Sequence, residues 1–401
     1  MSQYQPFRPT DLSFPGSQDV TVAQQDSSQS FGRLVSLDMF RGATMAIMLF
    51  VDVCGDTVPF FSHSKWNGIT LADLVMPGFL LTVGASMNAS IYRGMMTHDE
   101  ISIFKASLSR CLRLFIVGIL VQGQWLPDPE RSKQDVGFDI ERVRIMGVLQ
   151  RISICSVILM ATVLFVRRLS RQIMTVAICT MVQVLVLEVI CVPGCAGCND
   201  FSVVCNAESY LDRILLGPNH LYRPLLGYDP EGLVSTLGCV LPCFVGYISQ
   251  LPGLKSLRVR AGLSCILVLM GLVLEAAGMP FNKALWTPSY NLVTSGTILL
   301  AFSLLDYSAI SENTRNPLCQ LGCNAILFYI LSDCCGTLSF LIDSIWVIRD
   351  GKKVTLISWF KDSILHTNEY PWTIVIHAAL QLLLFFVLMR YLYEKRIFIK
   401  I

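Results

Sequence analysis

Charge is scarce in this 401-residue chain: Asp, Glu, Lys and Arg together make up 15% of it, against roughly 25% in soluble domains. That scarcity excludes a string of ordinary soluble domains, for which the length alone would suffice. A net charge of +2 supplies no field to gather nucleic acid, so no such partner is expected. The first 30 residues hold no apolar run and one basic residue, Arg8, among six Gln and six Ser. They do not read as a signal peptide, and residues 1–32 are expected to form a disordered polar tail. Around "CVPGCAGCNDFSVVC" neither a second CxxC nor a close histidine completes a zinc site, and no metal is expected.

Apolar residues are abundant at 53%, and they come in long runs from Leu34 to Tyr391. The expected fold is an all-α polytopic membrane helix bundle over residues 33–401. Since about 20 apolar residues cross the hydrocarbon, ten spans are predicted, near 34–55, 69–92, 103–124, 145–166, 172–192, 232–250, 260–279, 287–307, 317–338 and 371–391. The short basic links "RRLSR" (167–171) and "LKSLRVR" (254–260) and the basic C-terminus place both termini in the cytosol. Links 56–68, 125–144, 193–231 and 339–370 then face the lumen or exterior. Eleven of the 15 cysteines are scattered and read as small buried hydrophobes. Cys191, Cys195, Cys198 and Cys205 fall in a lumenal link, where one or two disulfides are expected, with Cys195 and Cys205 as candidates.

Ionisable groups inside apolar spans are costly and mark function by default. Asp38 and Arg41 lie three residues apart on one face of the first span and can pair, as a structural or a functional unit. Asp52 follows about 21 Å further along the helix. Arg110 and Arg113 in the third span either snorkel to headgroups, the commoner use, or face the bundle and hold a polyanion. Arg151 lies deep in the fourth span, beside Gln150. Asn282, Lys283 and Trp286 gather where the eighth span begins, a place where Trp and Lys often serve as interfacial anchors. A histidine in a loop is usually just solvated. His63, however, stands with Trp66 as an aromatic wall and Asn67 as a hydrogen-bonding amide, and Asp52 and Asp73 close the flanking helices. A carboxylate that reaches its ring would orient it and raise its basicity.

The motifs "RLVSLDMFRGATMAIMLFVDVCGD", "HSKWNGITLADLVMPGFLLTVGASM", "GVLQRIS", "SYLDRILLGPNHLY", "YDPEGLVSTLG", "FNKALWTPSYNLVTSG", "GCNAILFYI" and "EKRIFIKI" follow in one order from Arg33 to Ile401. This series resembles the heparan-alpha-glucosaminide N-acetyltransferase family. The resemblance implies transfer of acetyl from acetyl-CoA to the terminal non-reducing glucosamine of heparan sulfate, across the lysosomal membrane. It implies that His63 is the catalytic histidine, in an H-x-x-W-N-G setting, and it brings Asn324 of "GCNAILFYI" among the binding candidates. The family's polar residue eleven positions before the histidine, usually asparagine, is Asp52 here. An ionised aspartate cannot donate to an oxyanion as an amide does. A protonated Asp52 would still donate, and an ionised one would orient His63 instead. Animal lysosomal members carry a large lumenal domain and one further span before the matching region, so the chain reads as the family's membrane core alone, either a natural short form or an incomplete gene model. A homodimer is left open.

This layout suggests CoA threaded lengthwise through the bundle, its phosphates among Asp38/Arg41 and Arg110/Arg113 and its thioester at His63. His63 would act as general base or take the acetyl first. Competing readings are acyl transfer to another glycan or small sugar, a catalytically silent relative, and a proton-coupled transporter. For the last, Asp38, Asp52, Asp73, Glu188, Glu275, Asp306 and Asp333 would form a relay, although no repeat relates the two halves of the chain.

Overall fold

The computed structural model describes residues 35–122, 140–141, 143–195, 197–198, 200–222, 227–308, 316–333, 346–349, 352–355 and 372–399. The polar tail of residues 1–32, most of the 125–144 link and most of the 339–370 link lie outside them. Twelve helices run through the described residues: α1 (Val35–Cys54), α2 (Val75–Met95), α3 (Glu100–Gln122), α4 (Val148–Phe165), α5 (Leu169–Val189), α6 (Ala207–Leu216), α7 (Val240–Ser249), α8 (Leu257–Ala276), α9 (Pro288–Ser308), α10 (Pro317–Cys323), α11 (Ala325–Asp333) and α12 (Thr373–Glu394). The sequence signals of helix starts are in place. Pro288 and Pro317 take the first helical position, where no amide donor is needed. Asn206 caps α6 by accepting from the Ser209 amide at 2.8 Å.

Among the described residues, six helical segments are long and apolar enough to cross a membrane: 72–95, 148–165, 169–189, 257–276, 288–308 and 373–394. The chain is therefore a helical membrane protein. Each of the other four predicted spans also overlaps helix, and each departs from a plain apolar span for a visible reason. α1 contains Asp38, Arg41 and Asp52, and α3 contains Lys105, Arg110 and Arg113. The run near 232–250 opens in turns and leaves only ten residues of α-helix in α7. The run near 317–338 breaks at Asn324 into α10 and α11.

The architecture is helical as expected; besides the helices the described residues contain one antiparallel strand pair, β1 (Trp346–Arg349) with β2 (Lys352–Thr355), in register Trp346 to Thr355. The sequence "WVIRDGKKVT" carries its signal, β-branched residues on either side of Asp-Gly.

Lipid-facing and core-facing surfaces divide as a bilayer solvent requires. α5 exposes Ile173, Ile178, Met181 and Leu185 while burying Gln172 and Gln183, and α8 exposes Ile266, Leu269 and Val273 while burying Arg260 and Ser264. The interior gathers polar groups because most of them find a partner there. Gln172, for example, donates to the Val166 carbonyl at 2.7 Å, and Arg260 pairs with Asp306 at 2.7 Å. α2 and α7 cross in backbone contact at Gly84 and Gly246, since a Cβ on either would fall inside a carbonyl of the other helix, that of Cys243 or of Leu81. α1 and α10 cross in the same way at Gly42 and Gly322, against the carbonyls of Leu318 and Asp38. The cysteine-rich link holds two disulfides, Cys191–Cys198 and Cys195–Cys205, the latter with Cα atoms 5.9 Å apart.

Candidate active site

The loop between α1 and α2 carries His63, and its conformation follows from its own residues. Gly68 takes φ +114°, a left-handed value that favours glycine. Its amide then donates to the Phe281 carbonyl at 2.7 Å, and Asn67 pairs with Asn282 in an isolated antiparallel bridge. The Asn282 side chain donates to the Asn67 side-chain oxygen at 3.1 Å and accepts from the Leu285 amide at 2.9 Å. The loop of His63 is thereby tied to the turn before α9 that carries Lys283.

Asp73 sits in a short 3₁₀ turn, Ala72–Leu74, that leads into α2, and it is completely buried. A buried carboxylate needs a full set of donors. One oxygen accepts from the Thr70 amide (3.0 Å), the Thr70 hydroxyl (2.9 Å) and the Ser64 amide (3.3 Å). The other lies 2.8 Å from His63 Nδ1 and 3.5 Å from Lys283 Nζ. Lys283 Nζ in turn lies 3.1 Å from His63 Nδ1 and 3.5 Å from Nε2. The His63 side chain is 49% exposed while that of Lys283 is 20% exposed, so the imidazole is the open face of a buried charge pair. Burial pushes the Lys283 ammonium below the usual lysine range, against the pull of Asp73 and Glu231.

A packed chain supports this cluster from below. The Tyr290 hydroxyl donates to the Asp73 carbonyl at 2.6 Å. The Tyr290 ring meets Trp286 edge-on at 5.2 Å, and the Arg151 guanidinium lies 5.0 Å from the Trp286 ring centre. Arg151 is itself buried and donates to the Pro230 carbonyl at 2.9 Å and to the Ser235 hydroxyl. Trp286 is a non-glycine residue at φ +50°, held in place by this packing. Beside the cluster, Trp66 Nε1 donates at 2.7 Å to the carbonyl of Phe201, and its ring packs edge-on against Tyr228. Phe201 lies between Cys195 and Cys205, so the disulfide-closed loop braces the loop of His63.

His63, Trp66, Asn67, Asp73, Arg151, Asn282, Lys283 and Trp286 thus form one connected assembly. The remaining sequence candidates have the following surroundings. The polar contacts of His63 are with Asp73 and Lys283, while Asp52 is an exposed residue near the end of α1. Asp38 is buried and pairs with Arg41 at 3.3 Å, and Arg41 also reaches the Thr82 carbonyl. Arg110 and Arg113 are exposed on α3. Asn324 is buried at the α10–α11 break, donating to the Ile397 carbonyl and accepting from the Ile399 amide, both at 3.0 Å. It ties down "EKRIFIKI", the last of the colinear motifs.

Sequence reasoning passed over Thr70 and Tyr290. Thr70 had a readable signal, since T-x-x-D is the spacing at which a carboxylate reaches back to a helix-start amide. Tyr290 had none beyond its place in "LWTPSY", because its bond to Asp73 spans 217 residues.

Residues 33–196 match the family described as heparan-alpha-glucosaminide N-acetyltransferase, catalytic. Over 358 residues the chain is 28% identical to human heparan-alpha-glucosaminide N-acetyltransferase, covering 74% of this chain and 52% of that protein. The mouse protein of the same name is 28% identical over 361 residues, covering 75% and 53%. The chain spans about half the length of these relatives. The matched catalytic segment contains His63, Trp66, Asn67, Asp73 and Arg151, most of the connected assembly. Residues 33–196 thus resemble the catalytic part of the heparan-alpha-glucosaminide N-acetyltransferases, and about three quarters of the chain is similar to the human and mouse proteins of that name.

Proposed function

We propose that residues 33–401 form a membrane-embedded acetyltransferase domain that moves acetyl from cytosolic acetyl-CoA to the terminal non-reducing glucosamine amine of heparan sulfate. The bundle has ten spans with both termini in the cytosol, His63 on the lumenal side, and the lysosomal membrane as its location. The observation that carries this reading is the His63–Asp73 pair, a half-exposed imidazole held at 2.8 Å by a fully buried carboxylate, inside the family's catalytic segment.

Asp73 accepts from the Nδ1–H of His63, which fixes the tautomer and leaves the Nε2 lone pair free for chemistry. Amines have pKa values near roughly 8, so in an acidic lumen the acceptor must lose a proton to attack. Nε2 takes that proton, or first accepts the acetyl group and passes it on. Trp66 offers an aromatic wall to the sugar, fixed by its bond to Phe201. Arg41 beside Asp38 is assigned to the donor's phosphates. Arg110 and Arg113, facing outward from α3, suit lipid headgroups better than a ligand threaded through the bundle. Asn282 and Asn324 have their side-chain amides engaged within the fold, and Arg151 is anchored through one guanidinium nitrogen to Pro230 and Ser235; all three position the site. Asp52 stays a candidate near the reacting centre.

The test is acetyl transfer by purified protein in detergent, with labelled acetyl-CoA and a glucosamine-terminated heparan fragment at acidic pH. His63→Ala should lower the rate by about 10²–10⁴-fold, while Asp52→Asn keeps or raises it. A folded wild-type protein that binds CoA but transfers no label to this acceptor would overturn the reading and favour another acceptor or a silent relative.

A further inference from the structure

Lys283 is the cation of the site, and its placement is built rather than incidental. Its turn is closed on both sides. The Leu285 amide donates to the Asn282 side chain at 2.9 Å, the Trp286 amide to the Lys283 carbonyl at 3.1 Å, and the Thr287 amide to the Asn282 carbonyl at 3.1 Å. The Asn67–Asn282 bridge then fixes this turn against the loop of His63. A flexible lysine is thus held at 3.1 Å and 3.5 Å from the two nitrogens of the ring, on a mostly buried stem.

Asp73 and Glu231 attract the ammonium, yet Nζ stands closer to the His63 ring, at 3.1 Å, than to the Asp73 carboxylate, at 3.5 Å. Asp73 already has His63, Ser64 and Thr70 as partners, and an ammonium brought against an imidazole of basic function costs free energy. Such a charge is useful where negative charge develops. An acetyl carbonyl carbon about 3 Å from Nε2 places its oxygen within hydrogen-bond reach of Nζ. Asp52, a carboxylate on the exposed end of α1, cannot donate a hydrogen bond when ionised.

Resting on the acetyltransferase reading, we propose that Lys283 is a catalytic residue whose ammonium stabilises the oxyanion of the tetrahedral intermediate. The acceptor nitrogen forms its bond to the acetyl carbon as the carbonyl π pair moves onto oxygen, where Lys283 Nζ–H donates to it. The proton of the attacking nitrogen passes to His63 Nε2. When the carbonyl re-forms, the C–S bond breaks, and the CoA thiolate leaves with the proton from Nε2. Lys283 keeps its own protons throughout.

Lys283→Met retains the length of the stem without the charge. It should lower kcat by about 10²–10³-fold and leave KM for acetyl-CoA and for the glucosaminide within about threefold, with CoA binding retained as proof of fold. Lys283→Ala opens space, and added ethylammonium should restore its kcat by at least about tenfold while doing nothing for His63→Ala. A positioning role alone would not respond to the free cation. Wild-type kcat in Lys283→Met, a rise in KM with unchanged kcat, or no response of Lys283→Ala to ethylammonium would each overturn the assignment while the acetyltransferase reading stands. No transfer by the wild type in the same assay would overturn both.

Discussion

Asp73 divides its two oxygens between two sets of partners. One oxygen faces His63 and Lys283, and the other gathers the donors of Thr70 and Ser64. A neutral isostere cannot serve both ends, because an amide must turn its NH2 toward one set of donors. Asp73→Asn is therefore expected to lower kcat by about 10²–10⁴-fold through the wrong His63 tautomer, with CoA binding kept. Steady-state transfer assays on the purified variant check this, and kcat within threefold of wild type would remove Asp73 from the machinery. At the same scale the two aspartates that flank the loop are placed differently, Asp73 buried and Asp52 exposed. Both close helices beside His63 in the sequence, and only Asp73 is turned inward by the short 3₁₀ turn that precedes α2.

The helices are held where the site needs them by glycine. Gly84 on α2 and Gly246 on α7 let two backbones touch, and α2 is the helix whose start carries Asp73. A methyl group there has no room, because its nearest neighbour is a backbone carbonyl and not a side chain that can swing away. Gly84→Ala should force the helices apart and cost about 1–3 kcal/mol, read as a lower unfolding midpoint in detergent, with activity falling as Asp73 shifts. Gly262, beside which a Cβ meets nothing within 4 Å, is the matched control and should tolerate alanine. The broken helix α10–α11 follows the same economy of contacts. Asn324 interrupts it and uses both ends of its amide to hold the C-terminal segment.

For the molecule as a whole, one source of pH dependence lies in α6. Asp212 is 2% exposed, and burial together with the neighbouring Asp229 pushes its carboxyl up to about 7, against the Leu233 amide that it accepts. Glu208 on the same helix is also buried and is pushed well above the usual carboxylate range by that burial. An unfolded Asp titrates near roughly 3.9. Between about pH 4 and 7 the folded state therefore holds more protons than the unfolded one, and stability falls as pH rises through that window. Below it both states are protonated, and above it both are ionised. The contribution of Asp212 across the window reaches at most about 4 kcal/mol. Unfolding midpoints should thus be higher near pH 5 than near pH 7.5, and Asp212→Asn should flatten the difference while keeping the acid value. An unchanged slope in Asp212→Asn would show that Asp212 is not the group responsible. Glu231 works in the other sense, since Arg144 and Arg151 hold it below its usual range despite its burial, so it favours the folded state above about pH 4.

Apolar run length by itself determined that this is a helical membrane protein, because the hydrocarbon demands about 20 apolar residues per crossing and punishes every buried charge. Local chemistry also made His63, Trp66, Asn67, Asp73, Lys283 and Trp286 stand out, since such groups in or beside apolar runs need partners. Residue order could not choose among those partners. His63 and Lys283 are 220 residues apart, and Trp66 and Phe201 are 135 apart. Only the packing of α2 and of the turn before α9 decided that His63 meets Asp73 and Lys283, that Arg151 lies over Trp286, and that Asn324 holds the C-terminus. Tertiary structure also broke the 317–333 helix at Asn324. The physical reason is the same in each case: a buried polar group takes whichever partner the fold brings within about 3 Å, and that proximity is set by how helices pack.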